Sequence, residues 1–348
     1  MKRIHLMLVF VPAALVSHYA GGPPLLTFVL AGLALVPLAE IVGEATEHLV
    51  AHTGPRLGGF LNATLGNAAE LIITIFAIRA GLLDLVKASI TGSIIGNLLL
   101  VTGLSILAGG LRHGRQTFER RRAGLDATML ILSIIALTVP SLFSHHIEEV
   151  SHDSVEYLSI GVAVAMIAVY VLQLVYCFRA GAPAGTCPAP HGRNTWSVRK
   201  ALAMMMVATA AVAWLSEGLV SSVEPVLAQL GWTEFFVGIV IIPVIGNVAE
   251  HLVAVEVATK NQMDLSLTIS VGSSLQVALF VAPVLVFLSL LMGNPLTLVF
   301  NQFELIALVA TALIAALVAL DGESNWMEGV QLIVVYLILG LAFFFLPA

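Results

Sequence analysis

The sequence predicts an all-α polytopic membrane protein of eleven transmembrane helices, one leading helix followed by two inverted five-helix repeats. Three observations predict it. Of 348 residues, 59% are hydrophobic and only 10% charged, where a soluble chain carries about 25% charged residues. The apolar residues fall in blocks of about 20, the length a bilayer core demands of a helix; alternating segments of about 10 residues, the signature of a transmembrane barrel, do not occur. A polar core, Gly-Asn-x-Ala-Glu, stands twice inside those blocks, at Gly66–Glu70 and Gly246–Glu250.

Polar breaks separate the blocks in order. The first, 4–20, follows Lys2 and Arg3 and has the look of a signal peptide; counted as a span, it puts the termini on opposite sides. The second is 25–48. The third, 57–78, runs from Arg56 to Arg79 and carries Asn67 and Glu70. The fourth, 85–108, begins after Asp84 and carries Ser93 and Asn97. The fifth is 124–143, after Arg120, Arg121 and Arg122. An acidic, His-rich stretch, His145–Glu156, leads to the sixth, 156–178. A Pro/Gly/Ala-rich linker, 179–198, reads as flexible. The seventh block is 199–220. The eighth, 235–258, runs from Glu234 to Lys260 with Asn247, Glu250 and His251. The ninth, 265–291, begins after Asp264 and holds Ser273 and Gln276. Glu304 opens the tenth, 303–320, and the eleventh is 328–346. Asp84 and Asp264 are expected as helix N-caps.

Basic residues orient the chain. With the N-terminus cytoplasmic, 13 of the 15 Lys and Arg residues fall in inner segments, and only Arg79 and Lys87 fall outside. The C-terminus is then outside. Cys177 and Cys187, at or beside the inner linker, give no disulfide framework.

The polar core recurs at a constant offset of 180 residues, which pairs Gly58 with Gly238, Asn67 with Asn247, Glu70 with Glu250, Asp84 with Asp264, Gly92 with Gly272 and Ser93 with Ser273. Chance matches in apolar sequence favour Leu, Val and Ala; these fall on Gly, Asn, Glu, Asp and Ser. The organisation that follows is a leading helix in 1–22, a first repeat in 23–178 with its motif at 57–105, the linker, and a second repeat in 199–348 with its motif at 235–285. An odd number of helices per repeat inverts the second copy, the pattern of secondary transporters.

A carboxylate at mid-bilayer costs roughly 2.5–3.5 kcal/mol even on a lenient scale. Two are tolerable if they share a divalent cation or protons. Glu70 and Glu250 carry enough charge to neutralise one Ca²⁺, which takes six to eight oxygens. Asn67 and Asn247 stand one turn before each Glu on its face, and Ser93, Asn97, Ser273 and Gln276 lie on the partner helices. Gly66, Gly246 and Pro243 loosen the backbone and free carbonyls. Without metal, burial and mutual repulsion favour protonated carboxyls. The pair holds Ca²⁺ or protons, never both, and alternate exposure of one such site is antiport. The competing reading is that these polar residues only join helices. His251, Glu256 and Glu304 are secondary candidates: His251 as a hydrogen-bonded neighbour of the site, Glu256 directed toward Lys260, Glu304 as a third protonatable group. His48 and His52, four residues apart beside Glu47, raise a zinc-protease alternative, but the order departs from His-Glu-x-x-His and no third ligand is evident.

The two motif stretches, "LGGFLNATLGNAAELIITIFAIRAGLLDLVKASITGSIIGNLLLVTG" and "FVGIVIIPVIGNVAEHLVAVEVATKNQMDLSLTISVGSSLQVALFVAP", resemble the repeats of the H⁺-coupled Ca²⁺/cation antiporters, the cation-exchanger branch of the Ca²⁺/cation antiporter superfamily. The resemblance continues through "ATEHL" and "DGESNWMEG" and covers nearly the whole chain. It implies eleven helices, Ca²⁺/H⁺ exchange and Glu70 and Glu250 as ion ligands, with Ca²⁺ and H⁺ as transported ions, no other cofactor, the lipid bilayer as environment and no nucleic-acid partner. A Na⁺/Ca²⁺ exchanger on the same fold is the alternative, since a Glu pair serves either. A channel is the rival from another class. The linker has no Asp or Glu, unlike the acidic stretch some members carry there, and the N-terminus is short for an autoinhibitory domain. The compact chain suggests a prokaryotic cell (inner) membrane.

The charge asymmetry makes a direct prediction. A thiol reagent that cannot cross membranes labels Cys187 in inside-out vesicles and not in intact cells; labelling from outside overturns the orientation.

Overall fold

In lipid a helix satisfies its own backbone hydrogen bonds, and nearly the whole chain adopts it. The computed structural model describes residues 3–148, 152–179 and 196–346, with side chains described except at 3, 54–60, 62–63, 145–148, 152–153 and 177–179. Cys187, Lys2, most of the linker and the centre of the His145–Glu156 stretch lie outside the described residues, as do the side chains of Cys177 and Arg56.

A 3₁₀ turn, Arg3–Val9, leads into α1 (Phe10–Tyr19), followed by α2 (Pro24–Leu65) and α3 (Ala68–Arg79). Helix α4 (Leu83–Ile95) passes through a π-helical segment, Gly96–Val101, into α5 (Thr102–His113). After strand β1 (Gln116–Thr117) come α6 (Arg120–Glu148), α7 (His152–Arg179), α8 (Val198–Ser221) and α9 (Val223–Leu230). The short α10 (Glu234–Phe236) continues through a π-helical segment, Val237–Ile241, into α11 (Ile242–Ala258). Likewise α12 (Met263–Gln276) passes through Val277–Val281, also π-helical, into α13 (Ala282–Met292). Helix α14 (Gln302–Ala319), strand β2 (Glu323–Ser324) and α15 (Trp326–Phe345) complete the chain.

Among the described residues, nine helices are long and apolar enough to cross a membrane, and Ile4–Tyr19 is a shorter apolar helix. The chain is therefore a polytopic helical membrane protein. The polar break expected between 48 and 57 does not interrupt the backbone: α2 continues to Leu65, and the break falls at Gly66–Asn67, inside the expected third span. Gly and Asn tolerate a non-helical backbone there, and the break starts α3 two residues before Glu70. The all-helical expectation also misses a two-residue antiparallel ladder, with Gln116 opposite Ser324 and Thr117 opposite Glu323.

Pro243 and Pro283 each stand in the first turn after a π-helical segment. A proline lacks an N–H and its ring clashes with the carbonyl four residues earlier. A wide π turn just before it absorbs both defects, and such turns recur at functional sites. Two of the π segments, Gly96–Val101 and Val277–Val281, stand at corresponding places under the 180-residue offset.

Loops expected on one side meet at one end of the bundle. Gln116 donates to the carbonyl of Ala258 and to Asn261, each at 3.0 Å, Arg115 pairs with Glu323 at 2.8 Å, and the Glu119 N–H bonds Asp264 at 2.6 Å. At the other end Asn294 donates to the Ile78 carbonyl at 3.0 Å, and Ser141 and Ser159 bond the backbone of Leu298 and Phe300. Asp84 and Asp264 are not N-caps: Leu82 and Gln262 hold those positions, and each Asp sits in the first turn, where it still favours the helix dipole. Asp84 pairs with Lys87 at 2.6 Å.

Small residues let helices cross at backbone distance. A Cβ on Gly92 would lie 2.2 Å from the Ile239 carbonyl oxygen, and one on Gly238 would lie 2.4 Å from the Ala88 Cβ. Helix α4 thus packs directly on the Val237–Ile241 segment. Gly92→Ala is expected to lower stability by about 1–3 kcal/mol through overpacking. Gly161→Ala, with nothing within 4 Å of the new methyl, leaves it unchanged or slightly raised. Thermal unfolding of the detergent-solubilised variants measures both.

Candidate functional site

The break at Gly66–Asn67 and the α4–α11 crossing bring Glu70 beneath the start of α11's polar core. Glu70 is 3% exposed. Its Oε1 accepts hydrogen bonds from Ser93 on α4 and from the Asn247 amide on α11. Its aliphatic stem lies against Gly246, where a Cβ would sit 2.9 Å from the Glu70 Cγ. Glycine at 246 is what admits the carboxylate to the crossing. Thr74 bonds the Glu70 carbonyl at 2.7 Å and closes the first turn of α3.

Glu250 lies within electrostatic reach of Glu70. Ser273 on α12 lies against Glu250, and the carboxylate of Glu47, exposed on α2, is within electrostatic reach. Under the 180-residue offset Asn67 should serve Glu250 as Asn247 serves Glu70. Its amide instead donates to Gln276 Oε1 at 2.8 Å. Asn97, in the first π segment, is 1% exposed; its Oδ1 is 3.1 Å from His251 Nε2, and its carbonyl accepts from Thr102 at 3.0 Å. His251 is thus a hydrogen-bonded neighbour of the site, as expected.

Four buried oxygens at this crossing lack a well-formed hydrogen bond among the described residues: Glu70 Oε2, Glu250 Oε2, Asn67 Oδ1 and Ser273 Oγ. Buried polar atoms are ordinarily satisfied, so a concentration of bare oxygens marks a place built for something that binds oxygen. A hard cation fits that set, with two anionic oxygens and neutral amide and hydroxyl oxygens around them. Protons on the carboxyls fit it equally.

Of the eight principal residues read from the sequence, Glu70, Ser93, Asn247, Glu250 and Ser273 gather around the two carboxyls, while Asn67 with Gln276 and Asn97 with His251 form two further pairs on the same helices. Glu256 does not join them: exposed, it pairs with Lys260 at 2.6 Å. Glu304 is fully buried elsewhere, its Oε2 accepting from the Asn301 N–H at 2.8 Å in a capping box. The zinc-protease alternative fails. His48 stacks on Trp196 and accepts from its N–H, while His52 Nε2 lies 2.7 Å from the Trp196 carbonyl oxygen. Both rings hold the segment ahead of α8. Among the described residues no three His, Cys, Asp or Glu side chains form a metal cluster. Glu47 is the residue that sequence reasoning assigned elsewhere. Its signal was present, as Glu40, Glu44 and Glu47 stand at helical spacing within an apolar block.

A polytopic helical bundle with paired carboxylates sealed among amide and hydroxyl groups defines a membrane transporter for small ions, not an enzyme. The chain belongs to the sodium/calcium exchanger protein family, whose model matches residues 23–179 and 200–345. It is 43% identical to the Ca²⁺/H⁺ antiporter of Aphanothece halophytica, over 98% of this chain and 96% of that protein. It is 41% identical to the Ca²⁺/H⁺ antiporter ChaA of Bacillus subtilis (strain 168), over 99% of this chain and all of that one. Its fold is similar to the structure of native YfkE, with a TM-score of 0.86 at 38% identity, covering 99% of this chain and 100% of that chain.

Proposed function

We propose that the protein is a Ca²⁺/H⁺ antiporter that exports Ca²⁺ from the cytoplasm at the expense of inward proton flow. Ca²⁺ and protons compete for Glu70 and Glu250, with Asn67, Asn247, Ser93, Asn97, Ser273 and Gln276 around them. The observation that carries this reading is the pair of buried carboxyls, Glu70 and Glu250, within electrostatic reach of each other, with Glu70 Oε2 and Asn67 Oδ1 lacking a well-formed hydrogen bond among the described residues. Full-length similarity to proteins named Ca²⁺/H⁺ antiporters supports the choice of ions.

The architecture is read as eleven crossings, with the N-terminus cytoplasmic and the C-terminus outside, and with two inverted repeats joined by the inner linker. The recurrence of the π segments and the gathering of the expected inner loops at one end support it. The end that carries Arg112, Arg115, Arg120, Arg121, Arg122 and Lys260 is the cytoplasmic one. Glu47, within electrostatic reach of Glu250, lines the cytoplasmic approach to the pair.

The chemistry follows from charge. Ca²⁺ arriving from the cytoplasm displaces protons from the carboxyls. After the site turns outward, protons displace Ca²⁺ in turn. An empty, ionised pair is too costly in the bilayer to cross, so only loaded forms return, and the two flows are coupled. The deciding measurement is Ca²⁺ uptake into proteoliposomes under an imposed pH gradient with Na⁺ absent. Uptake that requires Na⁺ instead points to a Na⁺/Ca²⁺ exchanger on the same fold.

Glu70→Gln and Glu250→Gln are each expected to abolish exchange while the protein stays folded, because Gln keeps the shape and loses the anion. Ser93→Ala and Asn247→Ala leave the anions and remove their donors; an affinity loss of about 10–100-fold is expected. Either Glu variant exchanging at the wild-type rate sinks the shared site.

Ca²⁺ affinity should also fall as pH falls. Each proton displaced on binding adds one decade per pH unit to the limiting slope, about two decades for the pair. Calorimetry in detergent across pH 6 to 8 measures this, and a flat affinity contradicts it.

A further inference from the structure

Two carboxyls lie outside the central cluster in related places, Glu304 fully buried and Asp126 half-buried. Glu304, at the start of α14, packs on α4; Asp126, near the start of α6, packs toward α12. Helices α6 and α14 correspond under the 180-residue offset. Glu304 lies against Thr91, and Asp126 shares a cavity with Val271, the residue that corresponds to Thr91.

Each is equipped to hold a proton. Glu304 and Thr91 are both fully buried, yet Glu304 Oε1 and Thr91 Oγ1 lack a well-formed hydrogen bond among the described residues. Two turns along α14, on the same face, the buried Thr311 Oγ1 also lacks a well-formed hydrogen bond among the described residues. The charged groups facing Glu304 are Asp84 and Lys87 on α4, themselves ion-paired. Asp126 and Thr102 are the polar side chains of a cavity otherwise lined by groups such as Leu98, Leu130, Val271 and Ala315, with room for about two water molecules. The charged group facing Asp126 is Arg122, 4.0 Å away on its own helix. Thr102 Oγ1 lies 2.9 Å from Ser270 Oγ and 3.0 Å from the carbonyl of Asn97, which ties that cavity to the Asn97–His251 pair.

We propose that Glu304 and Asp126 are proton stations, Glu304 toward the outer side and Asp126 toward the inner, which pass protons to and from the central carboxyls by a route separate from the cation's. The proposal rests on the Ca²⁺/H⁺ reading. On the outer side a hydronium ion gives its proton to the Glu304 carboxylate and leaves as water, and Glu304 passes that proton to a central carboxylate as Ca²⁺ leaves. Inside, a proton released as Ca²⁺ binds passes through the hydroxyl and water positions to the Asp126 carboxylate, and from there to the cytoplasm. Only O–H bonds are made and broken. Leu98 and Leu130, which line the Asp126 cavity, are fully buried. Cations approach on the other face, past Glu47. Separate routes allow Ca²⁺ binding and proton release to occur together without collision.

Ca²⁺/Ca²⁺ exchange needs the cation site and its reorientation but no net proton movement, so it separates proton delivery from folding. In proteoliposomes, Glu304→Gln and Asp126→Asn are expected to slow pH-driven ⁴⁵Ca²⁺ uptake roughly 100-fold, the scale of a lost proton-transfer group, with Ca²⁺/Ca²⁺ exchange close to wild type. Asp126→Glu should restore uptake. Thr91→Val, which keeps the shape, should show the same selective loss as Glu304→Gln. Normal pH-driven uptake in both carboxyl variants overturns the proposal. So does a parallel loss of Ca²⁺/Ca²⁺ exchange in all three loss variants, since the residues would then serve the fold or the cation path. Absence of pH-driven uptake in wild type is a different result and sinks the underlying antiport reading.

Discussion

The Glu70 carboxylate is confined where α3, α4 and α11 meet, and the surrounding helices are shaped by that confinement. The chain breaks at Gly66–Asn67, which starts α3 early enough to aim Glu70 into the crossing. Gly246 gives its stem room, and Asn247 and Ser93 satisfy one of its oxygens. Glycines at 92 and 238 then draw α4 against the segment that leads into α11, so the donors stay within reach. A side chain at any of the three glycines would move a hydrogen-bond donor or the carboxylate itself. Leaving such a carboxylate unpartnered in a low-dielectric interior carries a penalty that packing elsewhere does not readily offset.

The two glutamates stand at equivalent sequence positions but in unequal surroundings. Glu70 is buried with two donors on one oxygen, while Glu250 sits in a more open setting, with Ser273 against it and Glu47 within electrostatic reach. Asn67, the counterpart of Asn247, is engaged with Gln276. Position 96, which corresponds to Gln276, is a glycine and offers no such acceptor. One sequence motif thus yields two environments because the neighbours outside the motif differ. In the proposed cycle the pair still acts as one unit, since the Coulomb interaction between the carboxylates makes the charge of each depend on the other.

Much of this was legible in the sequence because the physics is coarse. Lipid forces blocks of about 20 apolar residues, and a carboxylate inside such a block is expensive enough to mark itself. That is why spacing and repetition single out Glu70 and Glu250, and why Ser93, Asn247 and Ser273 are found beside them. Finer features depend on tertiary context. The helix runs past residue 56 and breaks at 66; Gly66 marks a loosened backbone there, but the polar stretch near 56 gives the stronger local signal of an end. Asp84 carries an N-cap signature, yet Leu82 takes the cap and Asp84 turns to Lys87. Glu47 was visible as an acid in an apolar block, but only the packing of α2 on α11 brings it within electrostatic reach of Glu250. The pairing of Gln116 with Ser324 joins residues more than 200 positions apart, beyond the reach of any local pattern.

The segments before and after the linker are packed into each other more than into themselves. Helix α2 lies along α8, α5 along α15 and α6 along α14, and the rings of His48 and His52 hold Trp196 from across the linker. In the language of oligomers, the chain is a heterodimer whose subunits happen to share a peptide bond. The buried core is drawn from both halves together. A substitution in one half is therefore read out in the other.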